Sequence, residues 1–140
     1  MLISMWEDLL YVVYIFSSFA LTGLILLVQF VHYPAFRYIG KKDFPAFHQF
    51  HSRSISYIVI PLMLVELVAA FYLWLKSDLF WYHPFLVVLI WFSTFFWSVP
   101  IHKNLAGGHD AREVQRLIQS NWPRTLLWSL KSFLLIGGML

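Results

Sequence analysis

The chain has 140 residues, 60% of them hydrophobic and 12% charged, where soluble domains carry roughly a quarter charged, so its surroundings are lipid rather than water. That length holds one domain, 1–140, and the absence of cysteine excludes disulfide scaffolds, thiolate metal sites and thiol redox chemistry. The net charge of +3 matters less in a membrane than where each charge falls.

A helix rises about 1.5 Å per residue and the hydrocarbon core is about 30 Å thick, so a crossing takes about 20 apolar residues. Four spans are expected on that measure, about 9–33, 45–76 including an extension at one face, 82–102 and 122–140. The first, from Leu9 to His32, carries no formal charge. Its start resembles the core of a signal peptide, with Ser18 and Ala20 as small residues near a cleavage point. Glu7 and Asp8 precede it with no basic residue and the apolar run continues through Val31, which predicts a retained helix.

After Tyr33-Pro34-Ala35-Phe36-Arg37, Asp43 is placed to cap and Pro45 falls in a first turn, where its missing N–H costs nothing. The second helix is therefore expected to begin near residue 45, before the membrane does, and Pro61 is expected to kink it. The third span is uncharged and holds Trp91-Phe92-Ser93-Thr94-Phe95-Phe96-Trp97, an aromatic surface able to enclose a planar apolar ligand or simply to pack helices and face lipid. Beyond it Asp110 can cap a short helix whose Ala111, Val114, Leu117 and Ile118 recur at helical spacing, a pattern that predicts an amphipathic segment lying on the membrane surface. The fourth span carries Arg124 near its start and Lys131 inside.

Arg37, Lys41, Lys42, Arg53, Lys103, Arg112, Arg116 and Arg124 all fall on the face reached after the first span, and only Lys76 on the other. The positive-inside rule makes the first face cytoplasmic and leaves both termini external. The expected fold is all-α: a four-transmembrane-helix bundle with external termini and a short interfacial helix between spans three and four.

This topology gathers histidines. His32 ends span one, His48 and His51 sit on the first turns of helix two, and His102 ends span three, all at the inner face; His109 follows in the inner loop and His83 lies on the outer side. His48 and His51, three residues apart on a helix, present two imidazoles one turn apart, and His32 and His102 can add nitrogens from neighbouring helices. Such a set suits iron, copper or zinc. Gln29, Tyr33, Ser52, Tyr57 and Asn104 are polar neighbours able to orient ligands, and Asn121, Arg124 and Arg53 bring further polar groups to the same layer. The alternative is that these histidines anchor the helices at the interface, with a polar tip in water.

Two charges lie deeper. Glu66 is about 17 Å along its span from Ile55 and Lys131 about 13 Å along from Trp122, so a Glu66–Lys131 pair facing the bundle interior is expected, as a lock between helices or as a proton relay. Glu66 is about 22 Å along from His51, too far to share an ion with it.

The segment Val31-His32-Tyr33-Pro34-Ala35-Phe36, followed by Phe44-Pro45-Ala46-Phe47-His48-Gln49-Phe50-His51, resembles small four-helix bacterial membrane proteins and, more distantly, the anthrone oxygenase-like membrane family. The HxxH pair and Asn121-Trp122-Pro123-Arg124 match the former group only. The resemblance implies oxygenation of a reduced aromatic or other apolar substrate at the membrane, and a multi-pass protein of the bacterial inner membrane.

The expected function is thus a metal-dependent oxygenase or oxidoreductase on an apolar substrate or lipid. His32, His48, His51 and His102 would be ligands, Arg124 or Asn121 would stabilise developing negative charge, and Tyr33 would assist. Two alternatives stay open: a non-covalent haem with His32 and His102 as axial ligands, and a lipid-binding scaffold with no chemistry. There is no Gly-rich phosphate loop, GxSxG or HExxH, and the basic residues flank spans rather than forming a stripe, so no nucleic-acid partner is expected. Gly23, Gly137 and Gly138 lack GxxxG spacing, which leaves a homo-oligomer open without assigning its face.

Overall fold

A computed structural model describes residues 2–76 and 81–139, with side chains placed from 5 to 76 and from 81 to 138. Among the described residues there is no strand. The chain forms four rods. The first joins α1 (Leu2–Leu27), a π-helical turn (Val28–His32), α2 (Tyr33–Ala35) and a 3-10 turn (Phe36–Tyr38); the second is α3 (Phe44–Lys76). The third joins α4 (Tyr82–Ser93), a second π turn (Thr94–Ser98) and α5 (Val99–Leu105), and the fourth is α6 (Ala111–Met139). Lipid offers backbone groups no partners, so a chain of this composition closes its hydrogen bonds within helices.

Three stretches are long and apolar enough to cross a membrane: Met5–Tyr38, Phe44–Lys76 and Tyr82–Leu105. The expected fourth span is not among them, because α6 carries Asn121, Arg124 and Lys131 among its apolar residues; its expected end at Leu140 lies outside the described residues.

The short surface helix expected between spans three and four is not a separate element. Asp110 caps as anticipated, its Oδ1 accepting the backbone N–H of Arg112 at 2.7 Å and of Glu113 at 3.4 Å, but the helix it starts runs on unbroken to Met139, through Pro123. The apolar side of its first turns does not lie on lipid. Val114 and Leu117 are fully buried in a cluster with Phe36, Phe44 and Leu105, and that packing holds the segment in line with the rest of α6. Burial along α6 falls on Val114, Leu117, Ile118, Asn121, Arg124, Thr125, Trp128, Lys131, Ser132 and Leu135, one stripe at helical period over the whole length.

Three apolar clusters stack along the bundle. One at the histidine end contains Val28, Tyr33, Phe36, Phe44 and Leu105. A middle cluster contains Leu21, Ile25, Met63, Ile90 and Trp128. The third, at the opposite end, contains Tyr14, Ala69, Leu73, Val87 and Leu135. The π turns were not foreseen. The one in the first rod adds a residue to a helical turn, and there the adjacent Val28 and Gln29 are both buried, with Tyr33 buried one turn on.

Candidate functional site

The chain ends of three rods bring the imidazoles together. His32 comes from the π turn of the first rod, His48 and His51 from the opening turns of α3, and His102 from α5. His32 Nε2 is 2.6 Å from His51 Nδ1, and His48 Nε2 is 3.1 Å from His102 Nδ1. The other nitrogen of His102 is engaged as well, 3.0 Å from the Tyr33 hydroxyl. The His51 and His102 rings stack at 5.8 Å between centroids, which joins the two pairs into one layer. Phe36 sets the spacing by packing edge-on against His32, His48 and His51.

The Tyr33–His102–His48 chain has two self-consistent hydrogen-bond directions. Either the phenol donates to His102 Nε2 and His102 Nδ1–H donates to His48, or both donors reverse. Switching from the first to the second takes a proton in at the Tyr33 oxygen and releases one from the far nitrogen of His48, with no heavy atom moved along the hydrogen-bonded chain.

Beside the imidazoles a second network is built from uncharged amides around one cation. Gln29 Nε2 donates to the Ile118 carbonyl at 3.3 Å, while Gln29 Oε1 accepts from Asn121 Nδ2 at 2.9 Å and from the Thr125 hydroxyl at 3.2 Å. Asn121 Oδ1 in turn accepts from Arg124 Nη2. Arg124 is thereby held from behind.

Between the two networks a cavity of about 270 Å³ opens into the middle of the bundle. Its polar end is formed by Tyr33, His102, Arg124 and Ser98, and its walls by apolar residues including Leu21, Ile25, Val59, Met63 and Trp128. Small-molecule sites are of this kind, mostly apolar with a few convergent polar groups.

The expected site residues are thus largely neighbours, but their nitrogens point at one another. Among the described residues no group of three or more His, Cys, Asp or Glu side chains is arranged to hold a metal ion. Neutral imidazole is suitable donor chemistry for a transition metal, and in the structure one nitrogen of each imidazole lies within hydrogen-bond distance of a neighbouring imidazole. His32 and His102, the expected haem pair, are each bonded to another histidine. His51 Nε2 is buried and has no partner. Two expected neighbours lie elsewhere: Asn104 donates to Glu113 at 3.2 Å, and Tyr57 is exposed on the outside of α3.

Deeper in the bundle, Lys131 and Glu66 are in ion-pair contact and fully buried. The second Glu66 oxygen accepts from Trp128 Nε1 at 3.1 Å, Lys131 donates to the Ser18 hydroxyl at 3.0 Å, and the ammonium lies 5.1 Å over the Tyr14 ring. Tyr14 also shares a 2.8 Å hydrogen bond with His83 Nδ1. Ser98, Thr125 and Trp128 were not singled out in the sequence, and Ser18 was only as a small residue near a cleavage point. The usable signal was that small polar residues inside an apolar span face the bundle interior rather than lipid.

Comparison of the chain with family models, with curated proteins and with solved structures returned no match.

Proposed function

We propose that the chain is a multi-pass membrane enzyme of the oxidoreductase class, which draws an apolar small molecule from the bilayer into the cavity and acts on it at the imidazole layer. The observation that carries this reading is the abutment of the two: the apolar cavity ends on Tyr33 and His102, and the proton path through His48 begins there. With molecular oxygen as the oxidant, a hydroquinone-type substrate passes two electrons and two protons to oxygen and leaves as the quinone with hydrogen peroxide, and the Tyr33–His102–His48 relay takes a substrate proton at the cavity and returns one to the reduced oxygen.

The test is turnover. Oxidation of a hydroquinone-type probe by oxygen, followed by absorbance with detergent-purified protein, should be lowered about a hundredfold or more by Tyr33→Phe or His102→Leu, the usual contribution of a positioned acid or base. Equal rates in wild type and variants would retire the reading.

A bound iron, copper or zinc ion at His32, His48, His51 and His102 belongs to the same proposal, and it requires the imidazole pairs to exchange their mutual hydrogen bonds for the ion. Elemental analysis of purified protein beside His48→Ala/His51→Ala decides it. Stoichiometric metal lost in the variant supports the ion; metal-free wild type leaves the relay without one.

We also propose that α6 is a fourth span, in a bacterial inner membrane, with both termini on the external side. Its low hydropathy comes from the inward stripe, whereas its outward residues Leu126, Leu130, Phe133 and Ile136 are all exposed and apolar. A helix with polar groups inward and apolar groups outward suits lipid.

A further inference from the structure

Arg124 lies 8% exposed, with Nη2 donating to Asn121 and Nε without any partner. Among the described residues the ion pairs are Lys76–Glu7, Arg116–Glu113 and Lys131–Glu66, and none of them involves Arg124. The buried carboxylate of Glu66 is occupied by Lys131 and Trp128. A guanidinium does not shed its proton in proteins, and a buried charge without a counter-charge is costly in water-soluble proteins and in membranes alike. Its partner Asn121 is uncharged, as are Gln29 and Thr125 to which Asn121 donates in turn, and the His102 imidazole that lines the cavity with Arg124 supplies no negative charge.

Two more donors around the cavity are unmatched. Ser98 Oγ, on a residue 2% exposed, and Trp91 Nε1 have no hydrogen-bond partner, and both residues line the cavity with Arg124. All three residues line the one apolar cavity, and among the described residues no protein acceptor answers their free donors. The opposite side of the cavity is bordered by Ile60, Phe95 and Val99, each about half exposed on the outside of the bundle. This border lies between α3 and the third rod at its π turn, on the outer surface of two helices long and apolar enough to cross a membrane.

We infer that the cavity binds a single-chain amphiphile with a carboxylate head, the head on Arg124 with Ser98 and the chain running along the apolar wall and out between α3 and the Thr94–Ser98 turn. This names the ligand class for the site of the proposed function and rests on that reading. A planar carboxylate matches the free edge of a guanidinium. The cavity volume, about 270 Å³, is at the small end for ligand sites, and it has room for one head and the near part of one chain rather than for a two-chain lipid.

The test is binding of hexadecanoate and of hexadecanol, matched in chain and different in head, to the full chain in nanodiscs of phosphatidylcholine. Wild type should bind hexadecanoate about tenfold or more tightly than the alcohol, the difference expected for hydrogen bonds to charged groups. Arg124→Gln should reduce hexadecanoate to the level of the alcohol, Arg124→Lys should restore part of the difference, and Ser98→Ala, which leaves the Arg124 network intact, should lose a smaller part. Equal binding of acid and alcohol to wild type, or unchanged hexadecanoate binding in Arg124→Gln, would overturn the inference. So would Arg124-dependent binding of phosphatidylglycerol in the absence of hexadecanoate binding, which assigns Arg124 to a lipid phosphate. Acid-selective binding with no turnover of any reduced probe supports the inference and retires the oxidoreductase reading, whereas binding of neither probe overturns the inference and leaves the oxidoreductase reading to its turnover test.

Discussion

Lys131 and Glu66 illustrate how a single buried residue depends on its partners. Each is fully buried, and between them and their hydrogen bonds to Ser18 and Trp128 they link α1, α3 and α6. Removing one partner leaves the other charged in a low-dielectric interior, whereas removing both leaves only a packing defect. Lys131→Met should therefore destabilise the bundle by about 3–5 kcal/mol, and Glu66→Gln/Lys131→Met by distinctly less. Thermal unfolding in detergent measures both, and a double variant no more stable than the single one would show that the pair is not what is being lost. The two charges were legible as lone ionisable residues in apolar spans, and helical rise placed them at reachable depths. Their other partners were not legible, because no periodicity argument says that Ser18 faces α6 or that Trp128 turns its N–H toward α3.

At the scale of an element, α6 is set by its first turn. Gly108 precedes it with φ of 139°, a conformation that only glycine adopts without strain, and Asp110 then supplies the cap. The Asp110 carboxyl is held below its usual range, first by the backbone N–H of Arg112 and also by that of Glu113. A carboxyl depressed on folding stabilises the helix above its unfolded pKa, and that contribution is lost as pH falls through the folded value. Amide exchange of residues 112–114, corrected for intrinsic rates, is expected to speed up on going from neutral pH to about pH 3. Asp110→Ala should exchange fast at both, and an unchanged profile in that variant would assign the pH dependence to another group. The cap was legible from one residue. The continuity of the helix was not, since the polar groups between Ile118 and Thr125 are answered from outside the segment: Asn121 and Thr125 donate to Gln29 on the first rod, and Arg124 donates to Asn121. The π turns were hidden for a similar reason: they answer to packing between rods, and no residue type marks them.

For the whole molecule, the gathering of His32, His48, His51 and His102 in one layer was legible from topology alone, because antiparallel rods return every second connection to the same end. The cavity was not legible, as it is a gap between α3 and the widened turn of the third rod and no single segment encodes it. The same alternation yields the final prediction. A chain with no cysteine of its own accepts single reporter cysteines cleanly, and Trp6→Cys, Trp81→Cys, Lys41→Cys, Lys103→Cys, Arg112→Cys and Gly137→Cys sample each rod end at positions exposed on the outside of the bundle. In the proposed orientation a membrane-impermeant maleimide added to intact cells labels positions 6, 81 and 137, and labels 41, 103 and 112 only after permeabilisation. The eight basic residues around the second group of sites oppose their translocation, since cytoplasmic loops retain lysine and arginine. Position 137 decides the fourth span. If it labels with 112 rather than with 81, α6 lies along one face and its inward stripe of Asn121, Arg124 and Lys131 no longer has a membrane-spanning reason. If it labels with 6 and 81, the chain crosses four times and the apolar outer face of α6 is lipid-facing, which is what makes a polar inner stripe of that length tolerable.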